Sequence, residues 1–214
     1  MAINSLYIDR IYSKIRNILY QRLLWRYAFG NRVSQRIWEK QFSNGVWDYL
    51  YGDSEKQHYQ IIARYVENYA AEQSLLDIGC GQGVLYHYLN ANSNPINYFG
   101  IDISKQAVEI GKKKFPKANF SQLDFDREKL IGKFDIVIFN ETLYYFDRPL
   151  KTVEKVIKYN LASNGYIIIS MCDYIGHDVI WKKLLKSYET LQQDVVENEI
   201  GQKWTVAIIK PRTI

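Results

Sequence analysis

The stretch Leu75-Leu76-Asp77-Ile78-Gly79-Cys80-Gly81-Gln82-Gly83 determines how the rest of the chain is interpreted. It begins as a short apolar strand, contains one acid, and then has glycine at every second position. Glycine has no Cβ and accepts positive φ, so such a turn lets the backbone pass close to a ligand. Because the turn follows a strand, it predicts a nucleoside-bearing ligand at the carboxyl end of a parallel sheet.

Strands and helices alternate from this stretch to the end of the chain. The predicted strands are 75–78, 97–103, 119–125, 134–140, 166–171, 193–199 and 203–210, and the helices between them are 83–89, 105–114, 150–160 and 178–188. This alternation predicts a parallel sheet with right-handed crossovers. Gly201-Gln202 predicts a tight hairpin, which requires one antiparallel strand near a sheet edge.

The residues before this region predict only helices. Apolar residues at i+3 and i+4 spacing predict an amphipathic helix over 6–20, and the pattern continues as helix over 21–42 until Asn44-Gly45 interrupts it. A further helix is predicted from about Ser54, as its N-cap, to Ala71. The chain therefore divides into an N-terminal helical segment, residues 1–53, and an α/β domain, residues 54–214.

Two ligand classes are compatible with a glycine-rich first turn. Dinucleotide enzymes use G-x-G-x-x-G, but the position of the third glycine is occupied here by Val84. Asp77 lies two residues before the first glycine, where its carboxylate would repel a pyrophosphate. Both observations argue against an NAD-dependent oxidoreductase and favour a positively charged ligand.

The chain resembles the class I S-adenosylmethionine-dependent methyltransferases over roughly residues 55–210. Asp77-x-Gly-x-Gly-x-Gly matches their first motif, Asp102 is the acid expected after the second strand, and Asp124 is the acid expected after the third. Asn140 closes a fourth apolar strand, as in that family. The resemblance implies a Rossmann-like, seven-stranded, mostly parallel sheet with an antiparallel C-terminal strand and helices on both faces.

The resemblance also implies which residues bind S-adenosyl-L-methionine and the product S-adenosyl-L-homocysteine. Asp102 would accept the ribose hydroxyls and Asp124 the adenine amine, while Asp77 and the Asn140 region would receive the ammonium group. The full predicted cofactor set is Asp77, Gly79, Cys80, Gly81, Gly83, Asp102, Ile103, Asp124, Phe125 and Asn140.

The segment Asn140-Glu141-Thr142-Leu143-Tyr144-Tyr145-Phe146 follows the fourth strand, where the transferred methyl group should point. Glu141 is the first candidate for a general base or acceptor-orienting group, because a hydroxyl acceptor needs a base and a neutral amine often does not. Tyr144 and Tyr145 are the other catalytic candidates, with simple packing as the alternative. His58 and His177 are lesser candidates for the base.

Within the family, the chain looks most like the type-12 small-molecule methyltransferases, and more distantly like a nodulation methyltransferase acting on an aminosugar oligosaccharide. On that likeness Trp47, Tyr49, Tyr51 and Tyr59 line the acceptor side. The fourth strand is not followed by N/D-P-P-Y, which argues against a flipped nucleic-acid base as acceptor.

The net charge of +5 resides in the first fifty residues, which hold eight basic and three acidic residues. Three interpretations of residues 1–42 stay open: a lid and dimer surface, an amphipathic helix on an anionic membrane, and a nucleic-acid arm. No stretch has the length of an apolar membrane span, and the N-terminus lacks a signal-peptide pattern. We therefore expect a cytoplasmic protein, with membrane association as an additional expectation.

Cys80 and Cys172 follow the first and fifth predicted strands, with a third strand between them, so about 9–10 Å separates them. This distance excludes a disulfide, and the sequence gives little support for metal binding. The favoured function is methyl transfer to oxygen or nitrogen of a small-molecule acceptor, such as a sugar or amphiphilic metabolite. The alternatives are a non-catalytic regulatory protein that binds the cofactor, and an RNA or protein methyltransferase that uses the basic N-terminal segment.

Overall fold

The computed structural model describes residues 2–69, 74–90 and 97–212. The helices in these ranges are α1 Ala2–Arg22, α2 Gln35–Ser43, α3 Asp53–Tyr69, α4 Val84–Asn90, α5 Lys105–Lys114, α6 Pro149–Tyr159 and α7 His177–Ser187. The strands are β1 Ser74–Ile78, β2 Asn97–Asp102, β3 Asn119–Gln122, β4 Phe134–Asn140, β5 Leu161–Cys172, β6 Glu189–Glu197 and β7 Lys203–Lys210. Short 3₁₀ helices cover Leu24–Tyr27, Asp48–Tyr51 and Leu143–Tyr145.

The strands form one seven-stranded sheet in the order β3-β2-β1-β4-β5-β7-β6. Strand β7 is antiparallel to both β5 and β6, and the other neighbouring pairs are parallel. The predicted mostly parallel sheet with an antiparallel C-terminal strand is therefore confirmed. The strand order reverses between β1 and β4, which is where α/β sheets bind ligands.

Helices cover both faces of the sheet, as predicted. On one face, α6 and α7 contribute Val153, Val156, Ile180 and Leu184 to a buried apolar cluster. On the other face, α3 and α4 supply a second cluster, which includes Tyr59, Ile62, Val66 and Leu85. Residues 136–139 of β4 are fully buried, so this apolar strand has no solvent-facing side.

Several predicted boundaries are wrong. Strand β3 ends at Gln122 rather than Phe125, because the N–H of Leu123 donates to the carbonyl of Asp102, where the partner strand ends. Strand β5 begins at Leu161 rather than Tyr166, and β6 covers Glu189–Glu197 rather than 193–199. The hairpin loop is longer than two residues because Asn198 Oδ1 accepts the N–H groups of Ile200 and Gln202.

The prediction of continuous helix over 21–42 is also wrong. Helix α1 ends at Arg22, and Ala28 has left-handed backbone angles, with φ of 59°. The N–H groups of Gly30 and Asn31 then donate to the carbonyls of Asp147 and Tyr144. These tertiary hydrogen bonds replace helical ones, so the chain runs extended along the segment after β4 until α2 begins.

Helix α3 begins at Asp53, so Ser54 is not its N-cap. The carbonyl of Ser54 instead accepts a hydrogen bond from Asn198 Nδ2. The predicted end of helix α3, at Ala71, lies outside the described residues. Both cysteines are free, as predicted.

Helix α1 turns its apolar side outward. Ile11, Ile15, Ile18 and Leu19 are 41%, 52%, 52% and 49% exposed. The opposite side holds α1 on the domain, since Tyr20 donates to the carbonyl of Ile175 at 2.7 Å and Arg16 pairs with Asp147. No helix in the described part of the chain is long and apolar enough to cross a membrane.

Gly83 joins the turn after β1 to the aromatic core beneath it. Its φ is +84°, and an added Cβ would lie 2.9 Å from Phe115 and 3.0 Å from Phe120. We expect Gly83→Ala to lower the free energy of unfolding by roughly 2–3 kcal/mol, since backbone strain and overpacking add. Urea unfolding followed by circular dichroism measures this.

Gly201→Ala is the matched control, because Gly201 has φ of +80° but an added Cβ would meet nothing closer than 3.7 Å. It should lose only about 1 kcal/mol, from the backbone conformation alone. Equal losses in the two variants would contradict the packing role of Gly83.

Candidate active site

The turn after β1 is held tightly against β2. The N–H groups of Gly79 and Cys80 both donate to the carbonyl of Ile101, at 2.7 and 3.0 Å. Gly79 and Gly81 have φ of 79° and 54°, which only glycine adopts readily. The predicted glycine turn therefore lies where β1 and β2 end side by side.

Asp102, at the end of β2, holds the glycine turn in place by hydrogen bonding. Its Oδ2 accepts the N–H of Gly81 at 2.9 Å, and its Oδ1 accepts the N–H of Ser104 at 2.8 Å. Burial raises the pKa of Asp102 to about 6, although these two hydrogen bonds lower it. Each carboxylate oxygen keeps a lone pair for a further donor such as a ribose hydroxyl.

Asp77 lies beneath the turn and is 1% exposed. Its Oδ2 accepts the hydroxyl of Tyr98 at 2.7 Å. Burial raises the pKa of Asp77 to about 7, and the charge of Asp102 raises it further, while the Tyr98 hydrogen bond lowers it. A cationic ligand would stabilise the ionised carboxylate.

Asp124 is engaged by a residue that the sequence did not identify. Arg32, from the extended segment before α2, binds Asp124 at 2.5 Å and also pairs with Asp126. These three side chains are at most 18% exposed. Asp124, the residue predicted to accept the adenine amine, is thus bound to the N-terminal segment. Arg32 and Asp124 both line the cavity described below.

Glu39 is a second contact from the N-terminal segment that the sequence did not reveal. Its carboxylate accepts the N–H groups of Lys105 and Gln106, at 2.7 and 2.9 Å, and the hydroxyl of Ser104 at 3.0 Å. It therefore satisfies the free N–H groups at the start of α5. Because 65 residues separate Glu39 from Ser104, no local sequence pattern predicts this cap.

Glu141 follows β4 and lies at the centre of a buried hydrogen-bond network. It accepts the hydroxyls of Ser170 and Tyr144 and the N–H of Cys172, at 3.1, 3.0 and 3.0 Å. Burial raises the pKa of Glu141 to about 7, although these partners lower it. Its φ of 56° is strained for a residue with a side chain, which marks this position as specialised.

Tyr144 and Tyr145 extend the network into a set of aromatic rings. Tyr144 stacks on His177 at 4.1 Å between ring centroids, and Tyr145 meets Trp38 edge-on at 4.9 Å. Trp38 contacts Trp47, which contacts Tyr49. The two tyrosines therefore belong to a continuous aromatic wall rather than to two separate sites.

One cavity of about 340 Å³ joins these groups. Of the predicted site residues, it is lined by Asp77, Gly79, Cys80, Gly81, Asp102, Ile103, Asp124, Phe125, Asn140, Glu141, Tyr144 and Tyr145. Gly83 is the exception, because it packs against Phe115 and Phe120 instead.

Four aromatic residues were predicted to line the acceptor side. Trp47, Tyr49 and Tyr59 line the cavity. Tyr51 does not, because its hydroxyl donates to the carbonyl of Gln82 at 3.1 Å and its ring contacts Lys114.

The two histidines are away from the lining. His58 is fully buried and stacks on Trp204, and burial lowers its pKa to about 3. His177 Nδ1 lies 2.7 Å from the carbonyl of Cys172. Neither side chain is among the groups that face the cavity.

The contacts of the cavity-lining residues are compatible with S-adenosylmethionine. Asn140 Oδ1 is buried without a hydrogen-bond partner in the described part of the chain, so it can accept from an ammonium group. Asp102 can accept two hydroxyls, and Gly79 and Gly81 keep the wall between them free of side chains. Phe42, from α2, lies 3.4 Å from where a Cβ of Gly81 would be, so it covers this end.

A model of the methyltransferase domain family matches residues 70–210. The chain belongs to this family. The predicted class I methyltransferase, with S-adenosylmethionine as its cofactor, is thereby confirmed, and so is the Rossmann-like fold.

Two curated relatives illustrate the range of this family. A malonyl-[acyl-carrier protein] O-methyltransferase of Acetivibrio thermocellus is 27% identical over 179 residues, covering 80% of this chain and 62% of that protein. A carboxy-S-adenosyl-L-methionine synthase of Campylobacter hominis is 28% identical over 140 residues, covering 63% of this chain and 58% of that protein. The chain thus spans less than two thirds of the length of these relatives.

Solved structures share the fold at low identity. The N-methyltransferase NodS of Bradyrhizobium japonicum, in complex with S-adenosylhomocysteine, superposes with a TM-score of 0.70 at 14% identity, covering 84% of this chain and 98% of that chain. Magnesium protoporphyrin IX methyltransferase of Synechocystis, with bound S-adenosylmethionine, gives 0.64 at 15% identity, covering 82% and 96%. The similarity extends over more than four fifths of this chain and nearly all of each of the two solved chains.

The raised pKa of Asp77 makes the stability of the unliganded methyltransferase depend on pH. Its pKa of about 7 exceeds the ordinary value of 3.8, so the folded protein binds more protons than the unfolded chain between these values. We expect Asp77 alone to lower the free energy of unfolding by roughly 2 kcal/mol as pH rises from 5 to 8, with Asp102 and Glu141, whose pKa values are also raised, contributing in the same direction. Urea unfolding at four pH values measures the slope.

Asp77→Asn should remove the share of this dependence that Asp77 contributes, because the amide does not ionise, while Asp102 and Glu141 keep theirs. Glu109→Gln, which changes an exposed acid on α5, should leave the slope as in the wild type. An unchanged slope in Asp77→Asn would contradict the assignment.

Proposed function

We propose that this chain transfers a methyl group from S-adenosylmethionine to an oxygen or nitrogen of a small-molecule acceptor. The observation that carries the proposal is a single cavity lined by two chemically different groups of residues. One group is the glycine turn with Asp77 and Asp102, and the other is Glu141 with the aromatic wall. A donor and an acceptor bound in one enclosed space can react without diffusing together.

S-adenosylmethionine supplies, when bound, an electrophilic methyl group on a positively charged sulfur. The task of the protein is then to hold the two reactants in line and to exclude water. Trp38, Phe42 and Trp47 all come from the N-terminal segment and line the cavity. These contacts support a division into a covering segment, residues 1–53, and a cofactor-binding domain, residues 54–214.

Glu141 is assigned the role of general base or acceptor-orienting residue. Its pKa of about 7 leaves part of it ionised near neutral pH, so it can accept a proton from a hydroxyl. The three donors around the carboxylate hold it in one orientation. The hydroxyl of Tyr144 donates a hydrogen bond to Glu141. Tyr144 can therefore help to orient Glu141 towards an acceptor that lies against the ring of Tyr145.

The test separates cofactor binding from turnover. Asp102→Ala should weaken S-adenosylhomocysteine binding by about tenfold or more in calorimetry, because the buried donors lose their acceptor. Glu141→Gln should bind it within about twofold of the wild type yet lose about 100-fold in turnover on a panel of alcohols and amines. Wild-type activity should rise with pH through about 7.

Each failure has its own meaning. Wild type that does not bind S-adenosylhomocysteine would overturn the proposal. Tight binding without turnover on any small molecule would favour the non-catalytic protein or a macromolecular acceptor. Glu141→Gln with full activity would remove Glu141 as the base.

We further propose that the outward face of α1 contacts an anionic membrane surface, bringing the enzyme to an amphiphilic acceptor. The apolar residues on this face are beside the exposed basic residues Lys14, Arg22 and Arg26. Exposed apolar surface flanked by Lys and Arg is typical of interfacial helices. A second copy of the chain is the other occupant that the face could accept.

Co-sedimentation with vesicles tests this contact. The wild type should bind vesicles of phosphatidylcholine with one quarter phosphatidylglycerol and show little binding to phosphatidylcholine alone. Ile15→Ser combined with Ile18→Ser should reduce binding about tenfold, since two apolar side chains no longer insert. Val195→Ser, at an exposed apolar position on β6, is the control. A dimer in sedimentation that these α1 variants dissociate, without vesicle binding, would instead identify α1 as a dimer surface.

A further inference from the structure

Glu55, in the first turn of α3, has a largely buried side chain whose carboxylate has no partner among the described residues. It is 6% exposed and lines the cavity. No hydrogen bond or ion pair reaches its side chain from the described residues, and burial alone raises its pKa. Since an unpaired buried carboxylate is costly, a ligand that supplies donors is the natural partner.

The other acids of the cavity already have partners. Asp102 accepts two backbone N–H groups, and Asp77 accepts the hydroxyl of Tyr98. Glu141 accepts three donors, and Asp124 is paired with Arg32. Glu55 is therefore the lining carboxylate whose charge is least compensated.

The whole cavity carries an excess of negative charge. Its lining residues include five carboxylates, those of Glu55, Asp77, Asp102, Asp124 and Glu141, against a single basic side chain, Arg32. Arg32 is bound to Asp124 and Asp126, so it does not offset Glu55. The field in this cavity attracts cations and repels carboxylates.

Glu55 lies near aromatic residues that line the cavity. Its charge raises the pKa of Tyr49 and Tyr59, after the larger effect of burial, as does that of Glu141. Trp47 and Trp204 line the same cavity, and the indole Nε1 of Trp47 is buried with no hydrogen-bond partner in residues 2–69, 74–90 and 97–212. Aromatic faces beside a carboxylate form the environment that binds ammonium groups.

We propose that Glu55 binds an ammonium group of the methyl acceptor, so that the acceptors of this enzyme are amines rather than neutral alcohols or carboxylates. The proposal rests on the proposed function, because it concerns the acceptor end of the same cavity. The aromatic rings provide cation–π attraction, and the Nε1–H of Trp47 can donate to a hydroxyl elsewhere on the same molecule.

The experiment measures binding rather than turnover. Intrinsic fluorescence of the cavity tryptophans is followed in the presence of saturating S-adenosylhomocysteine. The probes are ethanolamine, glucosamine, octylamine and 2-phenylethylamine, each paired with the analogue in which hydroxyl replaces the amino group, together with 3-phenylpropionate. At least one amine should bind about tenfold more tightly than its hydroxyl analogue, and 3-phenylpropionate should bind most weakly.

Two variants of α3 assign the effect to Glu55. Glu55→Gln keeps the size and removes the charge, so the amine should bind within about threefold of its hydroxyl analogue. Glu67→Gln, an exposed acid on the same helix, should keep the full preference. Glu55→Asp, which restores the charge on a shorter side chain, should recover part of it.

The outcomes separate this proposal from the previous one. If no amine binds more tightly than its analogue, or if Glu55→Gln keeps the preference, the proposal is wrong while cofactor binding is unaffected. If Glu55→Gln instead weakens S-adenosylhomocysteine about tenfold in calorimetry, Glu55 belongs to the donor end and the proposal is also wrong. Loss of S-adenosylhomocysteine binding in the wild type would overturn the proposed function itself.

Discussion

The hydrogen bond from the N–H of Gly81 to the carboxylate of Asp102 is the contact on which the site depends. It joins the turn after β1 to the end of β2, while the carbonyl of Ile101 accepts two further N–H groups of that turn. The turn can make these hydrogen bonds only because Gly79 and Gly81 adopt positive φ. The direction of the backbone, and with it the shape of the donor end, follows from these few bonds.

The N-terminal segment encloses what the sheet leaves open. Arg32 forms ion pairs with the acids that follow β3. Glu39 accepts free N–H groups at the start of α5, and Phe42 covers the glycine turn. The Arg32 ion pairs join side chains that are at most 18% exposed, where an electrostatic interaction is stronger than on the surface. The N-terminal segment therefore has two effects at once. It covers the cavity, and through Arg32 it neutralises the charge of Asp124.

Much of the donor end could be predicted from the sequence, because it consists of local patterns. A strand followed by alternating glycines, with acids at two later strand ends, requires only that consecutive parallel strands place their carboxyl ends together. Boundaries were predicted less well. Strand β3 stops where its partner ends, and the helix expected over 21–42 is interrupted because its N–H groups bond to carbonyls more than a hundred residues away.

Sequence reasoning found Glu141, Tyr144 and Tyr145 in the cavity lining but missed Glu55, for a different reason. Glu55 carries a weak signal, since it precedes Tyr59 by four residues and so occupies the buried side of α3, but the pattern does not reveal that its carboxylate has no partner. Amino-acid sequence alone determined the alternation of strands and helices and the glycine turn, because short-range periodicity and glycine geometry specify them, and the resemblance to a known family implied the cofactor. Tertiary structure alone decided which charges are paired, because pairing depends on distances between segments remote in the chain.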